Sequence, residues 1–267
     1  MFEILSSTFM QKALLVGIIV SLLAGMVSVF VVLRNMSFIG VGISHAAFGG
    51  VAIGFFAGIN PIITAIVYSM AIALGIELVA RKGKVSEDAS IGIFYASSMA
   101  LGIVLISLSR EYNVDLFGYL FGNILAITDR EVFLSLIWAI LVISIIMLFR
   151  REIFMITYNE EIARVSGIPV RAINILFLII LSITIVISIK IVGIILISAL
   201  LVLPGATAQL FPKNLYFMIM ASCSVAVIST VVGLFLSYEF DIAPGGSIVL
   251  TATALFLISL LLKKRQR

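Results

Sequence analysis

The chain is poor in almost everything that builds a reactive or a water-soluble protein. Its 267 residues include one cysteine (Cys223), one histidine (His45), one tryptophan and five prolines. A lone cysteine excludes a disulfide framework or a thiolate cluster, and a lone histidine limits metal ligation within one copy. Charge is equally scarce: 11% of the residues are Asp, Glu, Lys or Arg, against about 25% in a typical soluble domain. Seventeen basic and thirteen acidic side chains cannot solvate a globule of this size, so a soluble enzyme is excluded. No G-x-x-x-x-G-K-[ST] phosphate loop is present, and the single imidazole has no sequence-placed partner for an intramembrane nucleophile–base pair. With a net charge of only +4, nothing calls for nucleic acid as a partner.

What the chain does have is apolar sequence: 63% of residues are hydrophobic and the mean hydropathy is +1.30. The runs are unbroken rather than alternating, which excludes a transmembrane barrel. A span needs about 20 mostly apolar residues. Candidates fall at 13–33, 37–58, 61–80, 89–109, 131–149, 172–189, 191–210, 215–237 and 246–262. The division after 189 rests on Lys190 alone, so the expectation is eight or nine spans. The segment 116–127 is too short to cross and suits a re-entrant or interfacial position. Met1 to Lys12 holds Glu3 and no basic cluster, so no cleavable leader is expected. The fold class expected is all-α, a polytopic helical bundle forming one transmembrane domain over 1–267.

With the N-terminus outside and nine spans, thirteen of the seventeen Lys and Arg residues fall on the cytoplasmic side. They include Arg34, Arg81, Arg150, Arg171 and the cluster from Lys263 onward, as the positive-inside rule requires. Gly17, Ser21 and Gly25, and likewise Gly42, Ala46, Gly50 and Gly54, recur every fourth residue. Such stripes let helices approach closely where lipid offers no hydrophobic drive; lining a substrate path is their other use.

The longest cytoplasmic stretch, 150–171, contains a short amphipathic helix signal at Glu160–Ser166, closed by Gly167 as C-cap and by Pro169. A helix so short is marginal alone in water and needs a surface, either lipid headgroups or a soluble partner. His45, beside Ser44, lies a third to halfway into the second span, on the side of the small residues. Ionisable groups at that depth face protein or water, so His45 is either a packing residue with a satisfied hydrogen bond or part of an ion path. Asp241 and Glu239, before the Ala243-Pro244-Gly245-Gly246 turn, form a solvated turn or an acidic outer vestibule shared with Asp115 and Glu111. Pro204-Gly205 should kink or break its span, as a bend or as a gate. Glu77 and Arg81, at i and i+4, suffice as a structural ion pair, and Cys223 reads as a packing residue.

Six blocks give these features a context: 34–54 (RNMSFIGVGISHAAFGGVAIG), 87–93 (EDASIGI), 114–128 (VDLFGYLFGNILAIT), 160–170 (EEIARVSGIPV), 190–208 (KIVGIILISALLVLPGATA) and 240–250 (FDIAPGGSIVL). In them the chain resembles the membrane permease of the zinc/manganese/iron uptake family of ATP-binding-cassette transporters, with bacterial zinc-uptake permeases the nearest in pattern. The resemblance implies a permease of a prokaryotic cytoplasmic membrane that pairs with a second copy of itself. It also implies two ATPase subunits and an extracytoplasmic metal-binding protein as partners, with ATP hydrolysis left to the former. The cargo would be a divalent ion, zinc first, manganese or iron next, and no cofactor would be bound permanently.

Glu161, Ala163 and Gly167 fit the E-A-A-x-x-x-G coupling pattern of such permeases, with Glu160 beside them and Ile162 at the second position. His45 matches the family histidine and Asp241 a family aspartate, with Ser44 and Asn123 as further oxygen donors. Two departures weaken a tight site: Val41 stands where the family commonly has an aspartate one turn before the histidine, and Asn123 replaces the acid of Leu-Phe-Gly-Asp. A permease for metal chelates such as siderophores is therefore the alternative within the class. A secondary transporter or channel would need carboxylates at span centres, and the sequence places none there.

Overall fold

The computed structural model describes residues 8–83, 85–108, 122, 127–211 and 214–265. Every regular element among them is a helix: α1 (Thr8–Leu33), α2 (Ile39–Ala57), α3 (Pro61–Gly83), α4 (Glu87–Leu108), α5 (Asp129–Leu148), α6 (Arg150–Tyr158), α7 (Glu160–Val165), α8 (Val170–Leu200), α9 (Leu203–Gln209), α10 (Leu215–Phe240) and α11 (Pro244–Arg265). The ends follow local chemistry. Thr128 and Glu131 form a reciprocal capping box at the start of α5, Asn214 caps α10 through the Phe217 N–H, and Gly58, with φ 66°, takes the left-handed position after α2.

Eight of the helical stretches described are long and apolar enough to cross a membrane. One of them, Val170–Gln209, has 40 residues, or about 60 Å of helix, twice the thickness of a hydrocarbon core. It is broken at Gly193, whose φ 81° and ψ 165° only glycine adopts readily. The contacts show that the break reverses the path. Lys190 pairs with Glu131 at 2.5 Å and Lys12 with Asp129 at 2.7 Å, so all four mark one end of the bundle. By Ala208 the chain is back beside Val29 and Met218, near the Arg34 end. The described helices thus make nine traversals, and the reversal comes three residues after the lysine that marked it in the sequence. The 116–127 segment lies outside the described residues apart from Gly122 and Ile127.

Three elements form the centre. In the most apolar windows of α1, α2 and Val170–Gln209, 78%, 72% and 67% of residues are buried, against 33% or less in the other five. Small residues bring the helices together. A Cβ on Gly50 would lie 2.6 Å from the Ala65 Cα of α3, and one on Gly42 would lie 2.7 Å from the Ile91 side chain of α4. Between α1 and α10, the Ser222 hydroxyl donates to the Gly25 carbonyl at 2.6 Å, and Ser21 meets Thr230 at 2.5 Å. The stripes read from the sequence are helix-packing surfaces.

Replacing Gly50 with alanine should lower stability by about 1–3 kcal/mol through overpacking. Gly92→Ala, where an added Cβ meets nothing within 4 Å, should be neutral or stabilising by up to about 1 kcal/mol. Thermal melts of the detergent-solubilised protein would check the contrast.

Candidate metal path and coupling helix

His45 lies in the first half of α2 and is half-buried. Its Nδ1 is 2.8 Å from the Val41 carbonyl; because that oxygen can only accept, Nδ1 carries the proton. In the neutral ring this leaves the lone pair on Nε2, the arrangement in which histidines bind metals, and no described group takes Nε2. Tyr95 of α4 packs edge-on against the imidazole, centroids 4.7 Å apart and planes at 80°, which fixes the ring. Tyr95 escaped the sequence reading, since nothing in spacing pairs it with position 45.

Ser44 points elsewhere. It is fully buried, its hydroxyl donates to the Gly40 carbonyl at 2.6 Å, and it accepts from Ser198 at 3.2 Å. It therefore ties α2 to the returning half of α8. Asp241 is also apart from His45: exposed, it ends α10 in the left-handed conformation, φ 51°, which aspartate tolerates better than most residues. The Ser237 hydroxyl and the Ile242 carbonyl close the same turn at 2.5 Å. Asn123 lies outside the described residues. Among those described, no three His, Cys, Asp or Glu side chains gather in a metal-binding group, so one copy offers His45 as a single strong nitrogen donor.

Pro204 and Gly205 mark the break that the sequence expects in this span, with the turn just ahead of them. The helix turns at Leu201–Val202, and α9 then begins with Pro204 in its first turn, where a missing N–H costs nothing. Gly205 donates its N–H to the Ser28 hydroxyl at 2.9 Å, and a Cβ there would lie 2.6 Å from the Ser28 carbonyl oxygen. It is a close-approach glycine between α9 and α1.

At the opposite end from Lys190, α7 forms where the sequence placed it. Asn159 caps it through the Ile162 N–H at 3.0 Å, and Gly167, with φ 81°, reverses the chain as Ile168 donates back to the Ala163 carbonyl. Ala163 is fully buried, whereas Val165 is 89%, Tyr158 79% and Ile162 52% exposed. The two glutamates divide. Glu161 faces solvent, while Glu160 turns inward, 2.7 Å from Arg81 and 2.9 Å from Arg164. Arg81 also reaches Glu77 at 3.6 Å.

Beneath this helix is a polar cavity of about 230 Å³ whose walls include Arg34, Glu77, Arg81, Glu87, Glu160 and Asn174. Arg34 donates to the Asn174 side chain and lies 5.2 Å from the centre of the Phe177 ring. Burial pushes the Arg34 guanidinium below its ordinary value, and the carboxylates of Glu160, Glu87 and Glu77 oppose the shift. The sequence signal for this cluster was Asn174, an amide in an apolar run directly after Arg171.

The Arg81–Glu160–Arg164 bridges are partly exposed and worth about 0.2–1 kcal/mol each. Glu160→Gln should leave the melting temperature nearly unchanged. Amide exchange at Glu160–Val165 should accelerate up to about fivefold, more weakly in high salt; hydrogen-exchange mass spectrometry reads both.

Residues 6–263 match the ABC 3 transport family. The manganese transport system membrane protein MntC of Halalkalibacterium halodurans is 37% identical over 264 residues, covering 99% of this chain and 90% of its own length. The high-affinity zinc uptake system membrane protein ZnuB of Haemophilus influenzae is 36% identical over 214 residues, with 80% of each chain covered. Among solved structures, PsaBC from Streptococcus pneumoniae in complex with Fab superposes with a TM-score of 0.86 at 38% identity, covering 97% of this chain and 93% of that one. Relatives whose names state a metal are mostly manganese proteins, with zinc named for ZnuB.

Proposed function

We propose that this chain, which belongs to the ABC 3 transport family, is the membrane permease subunit of an ATP-driven importer of divalent manganese or zinc. Two copies would pair in the cytoplasmic membrane with two ATPase subunits, and an extracytoplasmic protein would deliver the ion. The observation that carries the reading is α7, pinned to the bundle by Ala163 and Glu160 while Ile162, Val165 and Tyr158 stand exposed. An apolar face on a tethered six-residue helix is a seat for a soluble partner. The cation-rich Arg34 end then lies in the cytoplasm, with the N-terminus outside and the C-terminus inside.

Force applied to α7 has a short mechanical route. Glu160 grips Arg81 on α3, and α3 meets α2 at Gly50, where the Ala65 backbone lies directly against the glycine. A rigid shift of α3 therefore carries α2, and with it His45, in the manner of packed helices moving as units. The His45 Nε2 lone pair offers the ion one ligand in each copy. Two such ligands meeting across a two-fold axis would hold it weakly enough to release it, as conduction requires. Apolar Val41 one turn away, and Ser44 already committed to Ser198, favour metal-chelate cargo as the second reading.

Reconstitution of the permease with its ATPase in vesicles tests both readings. Uptake of free Mn²⁺ or Zn²⁺ should require ATP and should fall at least about tenfold in His45→Ala, as expected when a charge-assisted contact of about 1.4 kcal/mol or more is lost. ATP-independent uptake would sink the coupling; full uptake by His45→Ala would remove the histidine from the path and leave the chelate reading. Val165→Asp should lower ATP-driven uptake by about tenfold or more, since a buried apolar contact is replaced by an unpaired charge, with the permease still folded by circular dichroism.

A further inference from the structure

On the flank of the bundle, an apolar groove of about 430 Å³ runs between α1, α5 and the first turns of α10. Met26, Phe30, Ile146, Met147 and Ile219 form its wall, and all belong to membrane-crossing helices. At the Arg34 end the groove is closed by Arg150 and Arg151, which start α6, and by Tyr216. Arg150 Nη1 donates to the Tyr216 hydroxyl at 2.6 Å, so the phenol positions the guanidinium at the mouth. Both arginines are exposed, and neither lies within ion-pair distance of a carboxylate among the described residues.

We propose that this groove is a binding site for one anionic phospholipid of the cytoplasmic leaflet. An acyl chain would lie along Met147 and Ile219, and the phosphate would be held by Arg150 and Arg151. The charge pattern selects this occupant. An amphipathic partner of one negative charge and a long apolar tail complements a groove with an apolar floor and two uncompensated cations at headgroup depth. Basic pockets between transmembrane helices on this face of a membrane take anionic headgroups, and a tyrosine at the interface is the usual companion. Arg150 also begins the segment that leads into α7, so a lipid seated there would brace the base of the coupling arm.

Native mass spectrometry of the purified full-length permease, titrated with phosphatidylglycerol or with phosphatidylcholine of identical acyl chains, tests the proposal. One phosphatidylglycerol per chain should be retained preferentially. Arg150→Gln with Arg151→Gln should weaken retention by about fivefold per arginine. Met147→Trp, which fills the groove and keeps both charges, should also displace the lipid. Lys263→Gln, which removes one positive charge at the same end but outside the groove, should leave retention unchanged. Equal retention of phosphatidylcholine, full retention by the arginine pair variant or by Met147→Trp, or an equal loss in Lys263→Gln would each overturn the site.

Discussion

Backbone-on-backbone contact between α2 and its neighbours is the constraint on which the remaining structure depends. In a bilayer, lipid tails are as apolar as leucine, so helices associate through short-range dispersion and hydrogen bonds. Gly42, Gly49, Gly50 and Gly54 remove the side chains that would hold α3 and α4 away. With those helices drawn in, Tyr95 reaches the ring of His45, and Ser44, one residue earlier, is turned toward Ser198. The position of the one imidazole is thus a result of where glycine is, more than of any contact histidine makes itself.

Hydroxyl groups follow a related economy. Ser182, Thr184, Ser229 and Thr251 return their protons to carbonyls one turn back, and others bridge helices, as Trp138 does with Thr184 at 3.1 Å. Such groups satisfy the low-dielectric interior internally. Full charges are confined to the two ends, where Lys12, Asp129, Glu131 and Lys190 gather on one side and the Arg34–Glu77–Arg81–Glu160 cluster on the other. Between them, among the described residues, the one imidazole stands in a stretch without Asp, Glu, Lys or Arg.

Much of this was legible in the sequence because it rests on composition and period. Unbroken apolar runs located the spans, four-residue stripes located the close contacts, and the Asn159, Gly167 and Pro169 punctuation located α7. Pairings between distant elements were not legible. Nothing in the spacing of Glu160 and Glu161 says that one turns to Arg81 and the other to water. Pro204 was legible as a breaker, since the helix turns at Leu201–Val202 just before it, whereas the sharper reversal came from Gly193, whose positive φ leaves no trace in hydropathy. Tyr95 and the Arg34–Asn174 pair were equally hidden, since both are made across helices far apart in the chain.

Those long-range pairs bear on how the protein is made. Ser21, Gly25 and Ser28 of α1 find their partners at Thr230, Ser222 and Gly205, between 177 and 209 residues later. A ribosome adding about 5–20 residues per second completes α1 on the order of ten seconds or more before those partners exist. The first of the described helices to be made is thus among the last to be fully satisfied. During that interval its polar stripe must be sheltered by the insertion machinery or by transient neighbours, which makes α1 the vulnerable element of biogenesis although it is the central one of the finished fold.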